Sequence, residues 1–281
     1  MFGPESIYKE ASDLRRSQVF GNPTVVVLDD DSWALEVVLY ALHHQNDLLP
    51  HRVEVEEMVM IAAICEKYEL AQALRPVADR LFRGLRRETG KQGNENLLFV
   101  CQVFGYEEEF EEVSREMVMR ATYEPGKGVR FGEAGNERGP RWVGKQIIEK
   151  ILDVRKSHLE ALRSYAKSLH TDPAHQLEIP LRSCLQGGVY KDNCEALQLG
   201  HLMKIVSKHN LDDEEMWNQS LYAISTQLLN IKNLYLPKNS ACAEDHSGCS
   251  WVPGLHNAVQ RVLESVKGLR LTNWPVRREG R

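Results

Sequence analysis

The sequence lacks a hydrophobic run long enough to cross a membrane. Its longest apolar run, residues 58–65, is far shorter than the roughly 20 residues that a membrane-spanning helix needs. The first residues also lack the basic start and apolar centre of a secretory signal peptide. From these absences we expect a soluble intracellular protein that binds no membrane, with cytoplasm and nucleus not distinguished.

An excess of basic residues is missing too. The 281 residues carry 35 Lys and Arg against 40 Asp and Glu, which gives a formal net charge of −5. Because nucleic-acid binding needs a basic surface to neutralise phosphates, nucleic acid is not expected as the main partner. The tail from Arg261 onward, with six basic and two acidic residues, keeps a nuclear regulatory role open.

Motifs of the common enzyme classes are absent as well. The chain contains neither HExxH nor GxSxG. Gly126, Gly128 and Gly132 surround Lys127, but their spacing matches neither nucleotide-binding fingerprint. The three aspartates at 29–31 would suit a hard cation, yet aspartate just before a helix is more typical of an N-cap. We therefore predict a non-enzymatic protein with no catalytic residues, no cofactor-binding residues and no small-molecule substrate.

Apolar residues recur every three or four positions along most of the chain, which predicts a mainly α fold with roughly eight to ten helices. The stripes are Leu35/Val38/Leu39/Leu42, Met58/Ile61/Ala62/Cys65, Phe110/Val113/Met117, Ile148/Ile151/Leu152/Leu159/Leu162, Leu199/Leu202/Met203/Val206, Trp217/Leu221/Ile224/Leu228 and Leu255/Val259/Val262/Val266. Only residues 24–28, which are β-branched and follow a turn cluster, clearly predict a strand. A lone strand needs a partner, because an unpaired strand edge is a liability.

Two polar, turn-rich segments are predicted to be linkers. The first covers residues 87–96. The second, residues 123–140, contains five glycines and two prolines without an apolar stripe, which predicts a flexible loop. The length of the chain is compatible with one large domain or two small ones.

The six cysteines fall into two groups. Cys65 and Cys101 lie inside apolar helical stretches and are predicted to be core residues. The others lie in polar segments of the second half, where Cys184 and Cys194 are followed by Cys242, His246 and Cys249. Thiolates and imidazole are the ligands of structural zinc, so these five residues form a candidate structural zinc site. Unligated thiols and disulfides remain open as alternatives.

Several short segments occur together in a characteristic order. They are residues 1–6 (MFGPES), 25–31 (VVVLDDD), 34–39 (ALEVVL), 57–68 (EMVMIAAICEKY) and 73–76 (ALRP). This ordered set resembles the BTB/POZ domain of a large group of BTB proteins from filamentous fungi. The segments 98–105, 110–115, 194–202, 246–249 and 266–271 are similar to the helical extension that these proteins carry, so the resemblance covers nearly the whole chain.

The resemblance implies an incomplete BTB/POZ-like α/β domain in residues 1–90, followed by a helical domain in residues 97–281. A complete domain of this type opens with two strands and two helices before the segment that residues 1–6 resemble. We therefore expect the first domain to lack those elements, which would pair with residues 24–28.

In function, the resemblance implies a protein-protein interaction adaptor. The expected partners are other proteins, either a second copy of the chain or a cullin scaffold. The alternatives are a substrate adaptor of a cullin-type ubiquitin ligase and a nuclear regulatory protein.

Overall fold

The computed structural model describes residues 29–91, 93–124, 128–131, 140–171, 184, 190–211, 213, 215–235 and 245–274. Among these residues it contains nine α-helices and one two-stranded sheet, which confirms the mainly α fold class. The strand predicted at residues 24–28 lies outside the described residues.

The elements follow one another along the chain with short connections. The helices are α1 (Ser32–Leu42), α2 (Val55–Lys67), α3 (Ala71–Leu85), α4 (Leu97–Phe104), α5 (Glu107–Arg120), α6 (Lys145–Thr171), α7 (Lys191–His209), α8 (Leu221–Leu229) and α9 (Val252–Ser265). The strands are β1 (Thr122–Glu124) and β2 (Gly128–Arg130), and short 3₁₀ helices include Glu215–Asn218 and Ser247–Cys249. No helix in the described part of the chain combines the length and apolar content that crossing a membrane requires.

The chain forms two compact units. The first unit takes the described parts of Met1–Thr89, Asn96–Phe110 and Leu271–Arg281, and the second takes those of Gly90–Glu95 and Glu111–Arg270. Helix α4 packs against α2 in the first unit, whereas the sequence analysis placed residues 97–281 in a second domain.

In the first unit, α2 is central and packs against α1, α3 and α4. Its apolar stripe is buried, with Met58 and Cys65 fully inaccessible to solvent. The start of α1 is fixed by Asp31, whose Oδ1 accepts a hydrogen bond of 2.8 Å from the Ala34 N–H. This contact confirms the N-cap that the aspartate run predicted, because an N-cap side chain satisfies an otherwise unpaired amide of the first turn.

In the second unit, α6 and α8 both pack against α9. The described side chains at their contacts include Ile151, Ile224 and Val259, none of which is exposed to solvent. The metal-type residues considered below all belong to this unit.

The linker predicted at residues 123–140 is wrong for its first third. Strands β1 and β2 form an antiparallel hairpin in which Thr122 lies opposite Arg130. Phe131 follows β2 and is only 5% exposed, so burial of its ring helps to order the segment. Strands of three residues are too short for an alternating pattern to announce them in a glycine-rich stretch. Residues 132–139 lie outside the described residues.

Candidate metal centre

Three separate pieces of chain supply the residues of the candidate site. Cys194 lies in the first turn of α7, where the apolar stripe of that helix turns inward. His246 and Cys249 bracket a short 3₁₀ turn, which is closed by a 3.0 Å hydrogen bond from the Cys249 N–H to the His246 carbonyl. Cys184 lies outside any helix or strand. The three pieces bring together residues that are 62 and 65 positions apart in the chain.

The ligand-type atoms of these four residues form a compact cluster. One such atom from each of Cys184, Cys194, His246 and Cys249 lies within 4.8 Å of all the others. Cys184 Sγ is 3.1 Å from His246 Nδ1 and 3.9 Å from Cys249 Sγ. Cys249 Sγ is 3.9 Å from the same nitrogen.

These distances are those of the edges of a metal-centred tetrahedron. With the usual zinc–ligand bond lengths, two sulfurs lie about 3.8 Å apart, and a sulfur and an imidazole nitrogen lie about 3.6 Å apart. The sulfur–sulfur distance of 3.9 Å is far longer than the S–S bond of a disulfide, about 2.05 Å. The three described cysteines are thus not joined by disulfides, and the four residues could hold a metal ion.

Burial at the site is deep on three sides. Cys194 and His246 are fully buried, Cys184 is 8% exposed, and Cys249 is partly accessible. Burial and the neighbouring thiols of Cys184 and Cys249 raise the pKa of the Cys194 thiol. Three thiolates in one pocket would repel each other strongly without a cation. A bound dication reverses that preference, because metal ligation requires the deprotonated thiol.

Hydrogen bonds around the cluster position its three pieces. The Cys184 N–H donates to Glu195 Oε1 at 3.0 Å, which ties this residue to the first turn of α7. Beyond Cys249, the Ser250 hydroxyl donates to Asn233 Oδ1 at 3.2 Å. The Trp251 ring lies 5.3 Å from the His201 ring of α7. Outer contacts of this kind orient metal ligands in proteins.

The structure brings together four of the five residues that the sequence singled out. Cys242 lies outside the described residues. The sequence signal was weak because neither Cys184–Cys194 nor His246–Cys249 has the spacing of a common zinc motif. What made the cluster detectable was its setting, since each pair falls in a polar stretch with little apolar core of its own.

The remaining predicted residues have structural roles. Cys65 and Cys101 are fully buried in the first unit, which confirms that they are core residues. Burial raises the pKa of the Cys65 thiol to about 12. Asp30 forms an ion pair of 3.0 Å with Lys67 and accepts a hydrogen bond of 2.5 Å from the Tyr68 hydroxyl. The aspartate run thus serves the start of α1 and its contact with the end of α2.

Comparison of the chain with protein-family models, curated proteins and solved structures finds no match in any of the three. The resemblance to BTB/POZ proteins therefore stays a prediction from the sequence.

Proposed function

We propose that this protein is a non-enzymatic protein-interaction adaptor of the BTB type in which a structural zinc ion holds the second unit together. The zinc ligands are Cys184, Cys194, His246 and Cys249. The observation that carries the proposal is the closed geometry of this cluster, in which four protein atoms occupy the four corners of a tetrahedron.

The donor set favours zinc among the common metal ions. Three sulfurs and one imidazole nitrogen form a soft ligand set, whereas Mg²⁺ and Ca²⁺ prefer oxygen ligands. A catalytic zinc ion normally keeps one position for water or substrate. Here all four positions belong to side chains, three of them buried, and this favours a structural role.

Exposed apolar side chains in the same unit support an interaction role. Leu199 and Met203 lie one turn apart on α7 and are 51% and 57% exposed. Tyr222 on α8 is 52% exposed. Solvent-exposed apolar side chains of this size supply the contact area that protein partners bury, and a flexible Met adapts to more than one partner surface.

Metal analysis tests the zinc. We expect about one zinc ion per chain in protein purified without added metal. Cys194→Ser should abolish binding, because it removes a ligand from the buried corner of the site. The matched control is Cys65→Ser, which places the same hydroxyl at another fully buried helical cysteine and should keep the zinc. Zinc-free wild-type protein whose melting temperature is unchanged by chelators would contradict the proposal.

Affinity purification from the native host, with quantitative mass spectrometry, tests the interaction role. We expect a near-stoichiometric protein partner that is lost in the double variant Leu199→Glu/Met203→Glu. The control is Lys204→Glu, which adds negative charge at an exposed position on the same helix and should keep the partner. Recovery of a cullin would favour the ligase-adaptor alternative. A protein that captures neither itself nor any partner would contradict an adaptor role.

A further inference from the structure

Cys249 is the most accessible of the four cluster residues. Cys184, Cys194 and His246 are buried, whereas Cys249 is partly exposed and ends a 3₁₀ turn whose other two residues, Ser247 and Gly248, are exposed. A small oxidant that approaches from solvent therefore meets the Cys249 sulfur first. Oxidation of cysteine follows thiolate character and exposure, and zinc ligation supplies the thiolate.

A second sulfur lies within reach of Cys249. Cys184 Sγ is 3.9 Å away, so closing the pair to a bond of about 2.05 Å needs a movement of about 2 Å. Cys184 belongs to no helix or strand, which leaves its backbone free of a ladder that would resist this shift. Cys194, by contrast, is fixed within the first turn of α7. Cys184 is thus the better partner for an oxidised Cys249.

We propose that the zinc centre is a peroxide-sensitive switch: a hydroperoxide converts the Cys184 and Cys249 thiolates to a disulfide, and the zinc ion is released. This inference rests on the proposed function, because it requires the zinc to be bound. It adds a regulated state to a centre that otherwise only stabilises the fold.

The chemistry proceeds in two displacements. The Cys249 thiolate attacks one peroxide oxygen, an S–O bond forms as the O–O bond breaks, and the second oxygen leaves as hydroxide. The Cys184 thiolate then attacks the sulfenic sulfur, the S–S bond forms, and a second hydroxide leaves. The two thiolates lose two electrons, the peroxide gains them, and both hydroxides take up protons to become water.

Oxidation changes which parts of the second unit are tied together. The zinc ion keeps only Cys194 and His246, which is too few ligands for a stable tetrahedral site. The covalent link between Cys184 and Cys249 replaces the metal, but Cys194 is no longer joined to either. The switch therefore uncouples the start of α7 from the turn that precedes α9.

The test uses zinc-loaded full-length protein treated with hydrogen peroxide. Released zinc is followed with a metal-binding dye, and the disulfide is located by peptide mass spectrometry under non-reducing conditions. We expect zinc release in step with one Cys184–Cys249 disulfide, and recovery of zinc binding after treatment with a thiol reductant. Zinc that stays bound, or a disulfide that involves Cys194 instead, overturns the switch. A purified protein without zinc would contradict the proposed function itself, so the two failures are distinct.

Two matched variants separate the roles of the sulfurs. Cys249→His and Cys194→His each leave two thiolates and two imidazoles, a set that still binds zinc. Because Cys249→His removes the accessible sulfur, we expect peroxide to release its zinc at least about tenfold more slowly than in the wild type. Cys194→His keeps the reacting pair and should release zinc at nearly the wild-type rate. Equal rates in the two variants overturn the assignment, and the disulfide map of the wild type decides alone if either variant fails to fold.

Discussion

At the scale of single residues, Gly268 illustrates how closely two segments of the second unit approach. A Cβ at this position would lie 1.8 Å from the Glu111 carbonyl oxygen and 2.7 Å from Ser114 Oγ. The next residue, Leu269, donates its N–H to the same hydroxyl at 2.7 Å. Since the nearest obstacle is backbone, a side chain at this position cannot be accommodated by a rotamer change.

We expect Gly268→Ala to lower the free energy of unfolding by about 2 to 3 kcal/mol, the cost typical of overpacking a tight site. The matched control is Gly200→Ala in α7, where an added Cβ meets no atom within 4 Å. Because alanine is the better helix former, the control should gain about 0.5 to 1 kcal/mol. Urea unfolding of both variants measures the difference, and equal stabilities would show that the approach at Gly268 is not tight.

Arg155 is a second residue whose role only its surroundings reveal. Its guanidinium is buried and donates to the Ala121 carbonyl at 2.7 Å and to the Gln219 carbonyl at 2.6 Å. Longer bonds reach the carbonyls of Trp217 and Asn218. Burial lowers the pKa of Arg155 to about 10, so the group is still charged at neutral pH. One cation thus satisfies carbonyls at the end of α5 and at the end of a 3₁₀ helix.

Arg155→Leu should destabilise the protein by about 3 kcal/mol or more, because it leaves several buried carbonyls without donors. Arg155→Lys should recover only part of this loss, since an ammonium group cannot reproduce the planar fork of donors. Lys156→Leu, at an exposed neighbouring position, should change stability by less than about 0.5 kcal/mol. Thermal unfolding compares the three variants, and a full recovery by lysine would mean that charge alone matters.

At the scale of elements, helix ends carry the clearest local signals. Asp31 before α1 and Ser220 before α8 each accept a hydrogen bond from an amide of the first turn, at 2.8 and 3.1 Å. Both are residue types that are preferred at an N-cap. The position of α1 was therefore written in the sequence as an acidic residue followed by an apolar stripe.

We expect Asp31→Ala to cost about 1 kcal/mol of stability, the usual loss for a missing N-cap. Asp31→Asn should be nearly neutral, because the amide oxygen can accept the same bond from the Ala34 N–H. Chemical denaturation monitored by circular dichroism distinguishes the two variants. A neutral Asp31→Ala would indicate that α1 is held by its packing on α2 rather than by its cap.

Element positions were predicted better than element partners. The apolar stripes located most of the helices, since helical periodicity is a local property of the chain. The hairpin at Thr122–Arg130 was missed, because three-residue strands carry no periodic signal and the glycines indicated a loop. The packing of α4 against α2 was equally hidden, since a polar stretch precedes α4 and suggested a boundary there.

At the scale of the whole molecule, the zinc centre acts within one of two compact units. All four ligands belong to the second unit. A structural metal stabilises the part of the fold that its ligands connect, because the binding free energy is lost when that part unfolds.

Removing zinc with a chelator should therefore raise hydrogen exchange in α7 and α9 of the second unit. Exchange in α2, the central helix of the first unit, should stay nearly unchanged. Hydrogen–deuterium exchange read out by mass spectrometry resolves the two regions, and re-addition of zinc serves as the control. A uniform rise across both units would mean that the metal supports the whole chain.

The sequence by itself determined the helical class, the N-cap before α1, the buried roles of Cys65 and Cys101, and the residue types of a metal site. Each of these depends on neighbours close in the chain or on composition. Only the tertiary structure decided that Cys184 meets His246 across 62 positions, that Gly268 touches the backbone of α5, and that Arg155 closes two helix ends. Such contacts depend on how distant segments pack, and no local pattern in the sequence encodes that distance.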